Sequence, residues 1–278
     1  MSRTSNIEVF KHTESMCSAH PALQAAIRSS VSRQAVIPQE MPLEGGIPCR
    51  EREANVVVSA KRTFEAAAAY AGRKVCVLNF ASATNPGGGV RYGSRAQEEG
   101  LCRCSTLYPC LNTPALWEGF YAPHRAQADP LHNDDCIYTP DVVVFKSDTS
   151  HPDMLEEARW QRVDVITCAA PNLREEPSNV MNPGEGEAVS VTLEQLQRIH
   201  EQRMARILRI AALHRCDVVV LGAFGCGAFC NDPRIVAKAY ANVLPEFRHA
   251  FETVEFAVYC TKADTTNFDV FRERLGGL

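Results

Sequence analysis

Two acids standing side by side, Glu98 and Glu99, follow a run of three glycines, Gly87, Gly88 and Gly89. A pair of carboxyl groups can divide acid and base work if their surroundings set their protonation apart. Neighbours on a helix point about 100° apart, so the two are expected not to face one atom and to take different tasks. Taken alone, two acids in a first helical turn do no more than complement the helix dipole. Three glycines in a row cost backbone entropy; they either form a tight turn or let the chain approach something closely, a bound ligand being the simplest such object. Together the two features point to a ligand beside a working carboxyl.

A second constellation is Gly222-Ala223-Phe224-Gly225-Cys226-Gly227-Ala228-Phe229-Cys230-Asn231. An apolar run precedes it, and Asp232 with Pro233 supply the cap and first position of a helix after it. That order places unpaired backbone N–H groups and the positive end of a helix where a phosphate can sit, and a diphosphate is the expected occupant. No Gly-Lys-Ser/Thr follows, which excludes a Walker loop. A dinucleotide fingerprint fails because its third glycine is replaced by Cys230. Cys102, Cys104 and Cys110 lie close together, as do Cys226 and Cys230, but without the spacing or the histidine of a zinc site, so no metal is expected. Cys226 has no adjacent base to make it a nucleophile and reads as shaping its loop.

These residues need a frame, and the hydrophobic pattern supplies one. Lys74–Phe80, Asp141–Lys146, Val163–Ala170, Asp217–Leu221 and Val254–Tyr259 are apolar runs of strand length. Between them lie helix-favouring stretches: Lys61–Ala71, a helix opened by a Ser94/Gln97 capping box and running toward Leu111, and one opened by Thr192/Gln195 and running to Leu213. Two more follow, from Asp232 through Val243 and over Asn267–Leu275. Pro171–Ala188 carries three prolines and two glycines and reads as a long surface loop. Strands separated by helices predict an α/β fold, a mostly parallel or mixed sheet sandwiched between helices, with ligands at the loops that follow the strands. Residues 1–50, with one helical stretch near Pro21–Ser32, are expected to be an N-terminal extension packed on a core formed by 51–278.

Composition narrows the function classes. With 29 basic and 33 acidic residues the chain has a net charge of −4, which gives no broad attraction for a polyanion, so a phosphate-bearing ligand must be held by local backbone groups. Direct sequence-specific binding of nucleic acid is not expected. No apolar run approaches the ~20 residues needed to cross a bilayer and the N-terminus lacks an apolar signal core, so a cytoplasmic location, or delivery to a host cytosol, is expected with no membrane partner. Twelve cysteines spread over 278 residues, several in apolar strand-like runs, read as reduced thiols.

The spacing of Gly87-Gly88-Gly89, the spacer VRYGSRA and Gln97-Glu98-Glu99, taken with VLGAFGCGAFCNDP, resembles the poly(ADP-ribose) glycohydrolase family, particularly its compact microbial branch. The likeness runs through VLNFASATNPGGG, LCRCSTLYPCL and ITCAAPN, roughly Val56 to Tyr259. It implies a macrodomain-like fold, a glycoside hydrolase that needs no cofactor, poly(ADP-ribose) or an ADP-ribosylated macromolecule as partner, and ADP-ribose as product. It further implies that Glu99 protonates the departing ribose oxygen, that Glu98 positions the ribose and that Gln97 supports the pair. Gly87, Gly88 and Gly89 would line the distal ribose and phosphate, with Asn85 a partner for a ribose hydroxyl. Gly225, Cys226, Gly227 and Ala228 would cradle the diphosphate, with Phe229 packed on the distal ribose. Cys230 departs from the pattern, which commonly has glycine there. A mono-ADP-ribosyl hydrolase and a non-catalytic ADP-ribose-binding module use the same scaffold and stand as alternatives.

Overall fold

The computed structural model describes residues 2–277. In chain order the elements are α1 (Arg3–Ala19), α2 (Pro21–Arg33), β1 (Ala35–Ile37), β2 (Asn55–Ser59), α3 (Thr63–Ala67), β3 (Val75–Phe80), α4 (Gln97–Cys104) and α5 (Leu107–Leu111). There follow α6 (Pro114–Leu116), α7 (Ala122–Gln127), β4 (Cys136–Val144), β5 (Gln161–Cys168), α8 (Leu193–Leu213), β6 (Val218–Leu221), α9 (Pro233–Val243), β7 (Thr253–Ala257) and α10 (Thr266–Leu275).

The strands form one mixed sheet in the order β1-β4-β5-β3-β6-β7-β2. The five strands from β5 to β2 run parallel, while β4 is antiparallel to both β1 and β5. The apolar runs alternate between two cores, as the two-residue period of a strand requires. Val75, Val77, Val218 and Val220 point to one face with Phe64, Leu101 and Phe120. Cys76, Leu78, Val219 and Leu221 point to the other, where Leu208 of α8, Val236 of α9 and Phe271 of α10 cover them. Strands covered on both faces are continuous in apolar residues for this reason. No helix of the described residues is long and apolar enough to cross a membrane. All twelve cysteines are free thiols, most of them buried.

Several expectations need correction. The N-terminal segment holds two helices where the pattern gave one, and β1 and β2 were not anticipated. The strand expected over Asp141–Lys146 begins earlier, at Cys136, and kinks at Asp141, whose φ is 54° and where the pairing with β5 shifts register. α4 stops at Cys104 instead of continuing to Leu111. There Ser105 turns extended and bridges Val144, with Thr106 N donating to Val143 O. The Thr192/Gln195 capping box and the Asp232 cap form as read.

Candidate active site

The loops that leave β3, β5 and β6 at their carboxyl ends meet over a cavity of about 290 Å³. One wall carries Ser82, Gly88, Glu98 and Glu99; the facing wall carries Ala223, Gly225, Gly227, Ala228 and Phe229. The two constellations, more than a hundred positions apart in the chain, thus share one space.

The start of α4 is held by Gln97, not by a capping box. No side chain caps this helix at its first residue, and Ser94 Oγ donates to Met181 Sδ instead. Gln97 Oε1 accepts from Phe80 N at 2.9 Å, while its amide donates to Leu78 O at 2.7 Å and Thr63 Oγ1 at 3.0 Å. The side chain closes the open end of β3 and fixes the helix, with its two acids, against the sheet.

Both carboxyls are buried, Glu98 2% and Glu99 6% exposed, and both reach the space beside Gly88. A methyl built on Gly88 would lie 2.7 Å from Glu99 Oε1 and 3.1 Å from Glu98 Oε2. The expectation that neighbouring side chains cannot face one point is therefore corrected: their flexible stems bend toward the same glycine. Their hydrogen bonds still differ. Glu98 accepts from Asn79 Nδ2 at 3.1 Å and from Ser82 N at 2.8 Å, one donor on each oxygen. Glu99 Oε1 accepts from Gly89 N at 2.9 Å, and its Oε2 is buried with no partner among the described residues.

That asymmetry bears on protonation. Burial, then the charge of Glu99, pushes the Glu98 carboxyl up to about 8 against its hydrogen bonds. Burial also raises Glu99, against the Gly89 hydrogen bond and the charge of Arg103 one turn on. Two buried carboxyls this close resist ionising together and titrate as a unit. Glu98 is fixed in place by a donor on each oxygen. Glu99 Oε2 faces none, which leaves it free to carry a proton and give it away.

The turn after β6 works through its backbone. Asn231 Nδ2 donates to Pro171 O, Gly225 O and Phe229 O, while its Oδ1 lies 2.8 Å from His200 Nε2. This clasp turns the carbonyls of Gly225 and Phe229 toward the buried Asn231 side chain, and among the described residues the N–H groups of Gly227, Ala228 and Phe229 make no backbone hydrogen bond. Unused amides facing a cavity suit an anion. The end of α9 does not contribute as expected, because Asp232 caps it with its own carboxylate.

Not every residue singled out from sequence lines the cavity. Of the three glycines only Gly88 does. Gly87 makes room for the Tyr108 ring and Gly89 for Ser94 and Met181, so the close approach that the run requires is mainly to the protein itself. Asn85 is spent on Gly88 O at 2.5 Å and Met181 O at 3.1 Å. The Cys226 side chain packs toward the core on the α8 side of the sheet, where burial drives its thiol far up, as befits a packing residue. Lining residues that sequence did not flag include Arg62, Asp148, Asn182 and Tyr259. Arg62 lies over the Tyr259 ring at 3.9 Å, and Asp148 accepts from Phe64 N at the start of α3. They come from four separate segments with no shared motif, so only the fold brings them together. Among the described residues no group of three or more His, Cys, Asp or Glu is placed to hold a metal ion.

The pattern of a microbial-type PARG catalytic domain matches residues 6–147, a span holding the glycine run and both acids. The chain belongs to the microbial-type PARG family. Its fold is similar to that of PARG, poly(ADP-ribose) glycohydrolase, from Thermomonospora curvata bound to the inhibitor ADP-HPD, at 32% identity and a TM-score of 0.81, with 98% of this chain and 100% of that one covered. It is also similar to PARG from Deinococcus radiodurans in complex with ADP-ribose, at 30% identity and a TM-score of 0.74, with 90% and 97% covered. A search of curated proteins gives no match. As in those PARG structures, the architecture is a central sheet flanked by helices with a helical N-terminal region.

Proposed function

We propose that this chain is a poly(ADP-ribose) glycohydrolase that cleaves the ribose–ribose O-glycosidic bond and releases ADP-ribose. One observation carries the reading: Glu99, whose buried Oε2 has no partner among the described residues, lines the same cavity as a turn whose free amides suit a diphosphate. The solved relatives bound to ADP-ribose and to ADP-HPD support the same ligand class here.

In this reading the diphosphate of the terminal unit lies on Gly225, Gly227 and Ala228, and Phe229 packs on its ribose. Glu98, fixed by Asn79 and Ser82, accepts from a ribose hydroxyl and orients the sugar. Glu99, fixed through Oε1 by Gly89 N, donates its proton from Oε2 to the departing ribose oxygen as the glycosidic bond breaks. The resulting carboxylate takes a proton from water as that water adds to the oxocarbenium-like sugar, which restores the acid.

The test is release of ADP-ribose from radiolabelled polymer. Wild type releases it, and Glu99→Gln, which keeps shape but holds no transferable proton, slows release by roughly 10²–10⁴-fold. Undiminished release by Glu98→Ala and Glu99→Ala would overturn the reading. So would turnover of mono-ADP-ribosylated protein with the polymer left intact.

A further inference from the structure

The strap of residues 171–191 has no regular secondary structure, yet its Glu185 is only 1% exposed. Burying a carboxylate costs several kcal/mol unless it is paired and hydrogen-bonded, so its partners indicate what the burial accomplishes. Oε1 accepts from Thr84 Oγ1 at 3.1 Å, in the loop that carries the glycine run. Oε2 accepts from Asn172 Nδ2 at 3.1 Å and faces His132 Nε2 at 2.7 Å. The other ring nitrogen, His132 Nδ1, lies 2.8 Å from Ala170 O, which can only accept. Both oxygens of the buried carboxyl are thus matched, one to Thr84 and the other to Asn172 and His132.

The chain is shaped to drive this side chain inward. Gly186 has φ of 79°, and a methyl there would lie 1.9 Å from Ala128 O, so the bend beside Glu185 admits only glycine. Thr84 is gripped twice, through its hydroxyl by Glu185 and through its carbonyl by Arg125 Nε at 2.7 Å. The next residue, Asn85, donates both to Met181 O of the strap and to Gly88 O. Gly89, one residue further, donates to Glu99.

We infer that Glu185 is a positioning residue for hydrolysis: by holding Thr84 it sets the Gly87–Gly89 segment on which Glu99 rests and keeps Asn182 of the strap at the cavity wall. The inference rests on Glu99 being the acid, as argued above. Glu185 itself does not line the cavity and acts through the loop.

Three variants test it, Glu185→Gln, Thr84→Val and Thr84→Ser, each measured for kcat and KM on polymer and for amide exchange at Gly88 and Gly89. Glu185→Gln and Thr84→Val lower kcat by up to about 10²-fold, the cost of an ångström-scale displacement, with KM much less affected. Both speed exchange at Gly88 and Gly89. Thr84→Ser keeps the hydroxyl and restores kcat and slow exchange. Folded Thr84→Val with wild-type kcat and wild-type exchange overturns the inference, as does a loss shared equally by Thr84→Ser. If Glu185→Gln does not fold, the Thr84 pair decides. Glu99→Gln serves as the separate control: it slows turnover by roughly 10²–10⁴-fold while exchange at Gly88, whose N–H donates to Asn85 O, stays as in wild type. Should wild type act on a mono-modified substrate instead of polymer, the proposed function fails while the same comparison, run on that substrate, still decides the role of Glu185.

Discussion

The two glycine-bearing loops of this site use glycine for opposite ends. In the loop after β3 the missing side chains are replaced by the protein's own groups: Tyr108 beside Gly87, two carboxyls beside Gly88, Ser94 and Met181 beside Gly89. In the turn after β6, Gly225 is packed against Ala170 and Asn231, but a methyl on Gly227 would meet no protein atom within 4 Å. The first loop is full and brings acids to a point; the second is left open at its centre and offers amides. A glycine-rich segment therefore does not by itself mark the place where ligand lies. What its backbone touches decides whether glycine serves a side chain or a substrate.

Substituting one glycine on each side is the sharpest way to break this contrast. Gly88→Ala places a methyl 2.7 Å from Glu99 Oε1 at a φ of 54° that alanine tolerates poorly. We expect turnover to fall by at least about 10²-fold as the acid is displaced, and the fold to lose about 1–3 kcal/mol, read by polymer assay and thermal melting. Gly227→Ala should leave the melting point alone and project into the space meant for ligand. Overfilling a packed contact costs about 1–3 kcal/mol, so calorimetry should show ADP-ribose bound roughly 10-fold or more weakly, with kcat retained. Melting of Gly227→Ala well below wild type, or a Gly88→Ala effect confined to affinity, would erase the distinction.

The two regions also differ in how they respond to pH. Glu98 is raised by burial and by Glu99 from 4.5 to about 8, so its charged form is disfavoured in the folded chain. Its contribution to stability is complete below the unfolded value and is lost as pH climbs toward 8. On the other side, burial lowers His200, which holds the Asn231 clasp, from 6.5 to about 4. Its contribution is complete above 6.5 and is lost as pH falls toward 4. Melting temperature should therefore fall on both flanks, with Glu98→Gln flattening the alkaline flank and His200→Gln the acid one. Turnover should also decline at alkaline pH, as the Glu99 carboxyl, raised by burial, gives up its proton. An alkaline flank that persists in both Glu98→Gln and Glu99→Gln would place its origin outside the carboxyl pair.

The sequence made the β3 and β6 loops legible because each is a local composite in which spacing and residue type suffice. The buried strands were legible because both of their faces are apolar, and α8 and α9 because their caps are side chains at fixed offsets. α1 was missed because half of its buried face is polar: Asn6 donates to Gly93 O and Thr13 to Arg103 O, so apolar periodicity is weak where the helix meets the loop. Gln97 was misread for a related reason. Its offset from Ser94 suggested a local cap, but its partners lie in β3 and α3, and a contact across the chain leaves no trace in local spacing. Glu185 had the same disguise, an acid in a segment of prolines and glycines whose burial depends on His132 and Thr84.

The smallest expected effect concerns Cys230, a non-glycine residue that adopts φ of 59°. A left-handed non-glycine residue costs roughly 1–2 kcal/mol, while glycine gives back about 0.5–1 kcal/mol through the freedom it has when unfolded. Cys230→Gly should therefore gain at most about 1.5 kcal/mol, seen as a slight rise in melting temperature. The Cys230 N–H, which donates to Gly227 O at 3.1 Å, is kept in the variant, so the turn should hold its shape and its affinity for ADP-ribose. A clear drop in affinity with the melting point unchanged would mean that the exposed thiol touches the ligand. The turn would then no longer act through its backbone alone, and the contrast with the carboxyl-bearing loop would be one of degree.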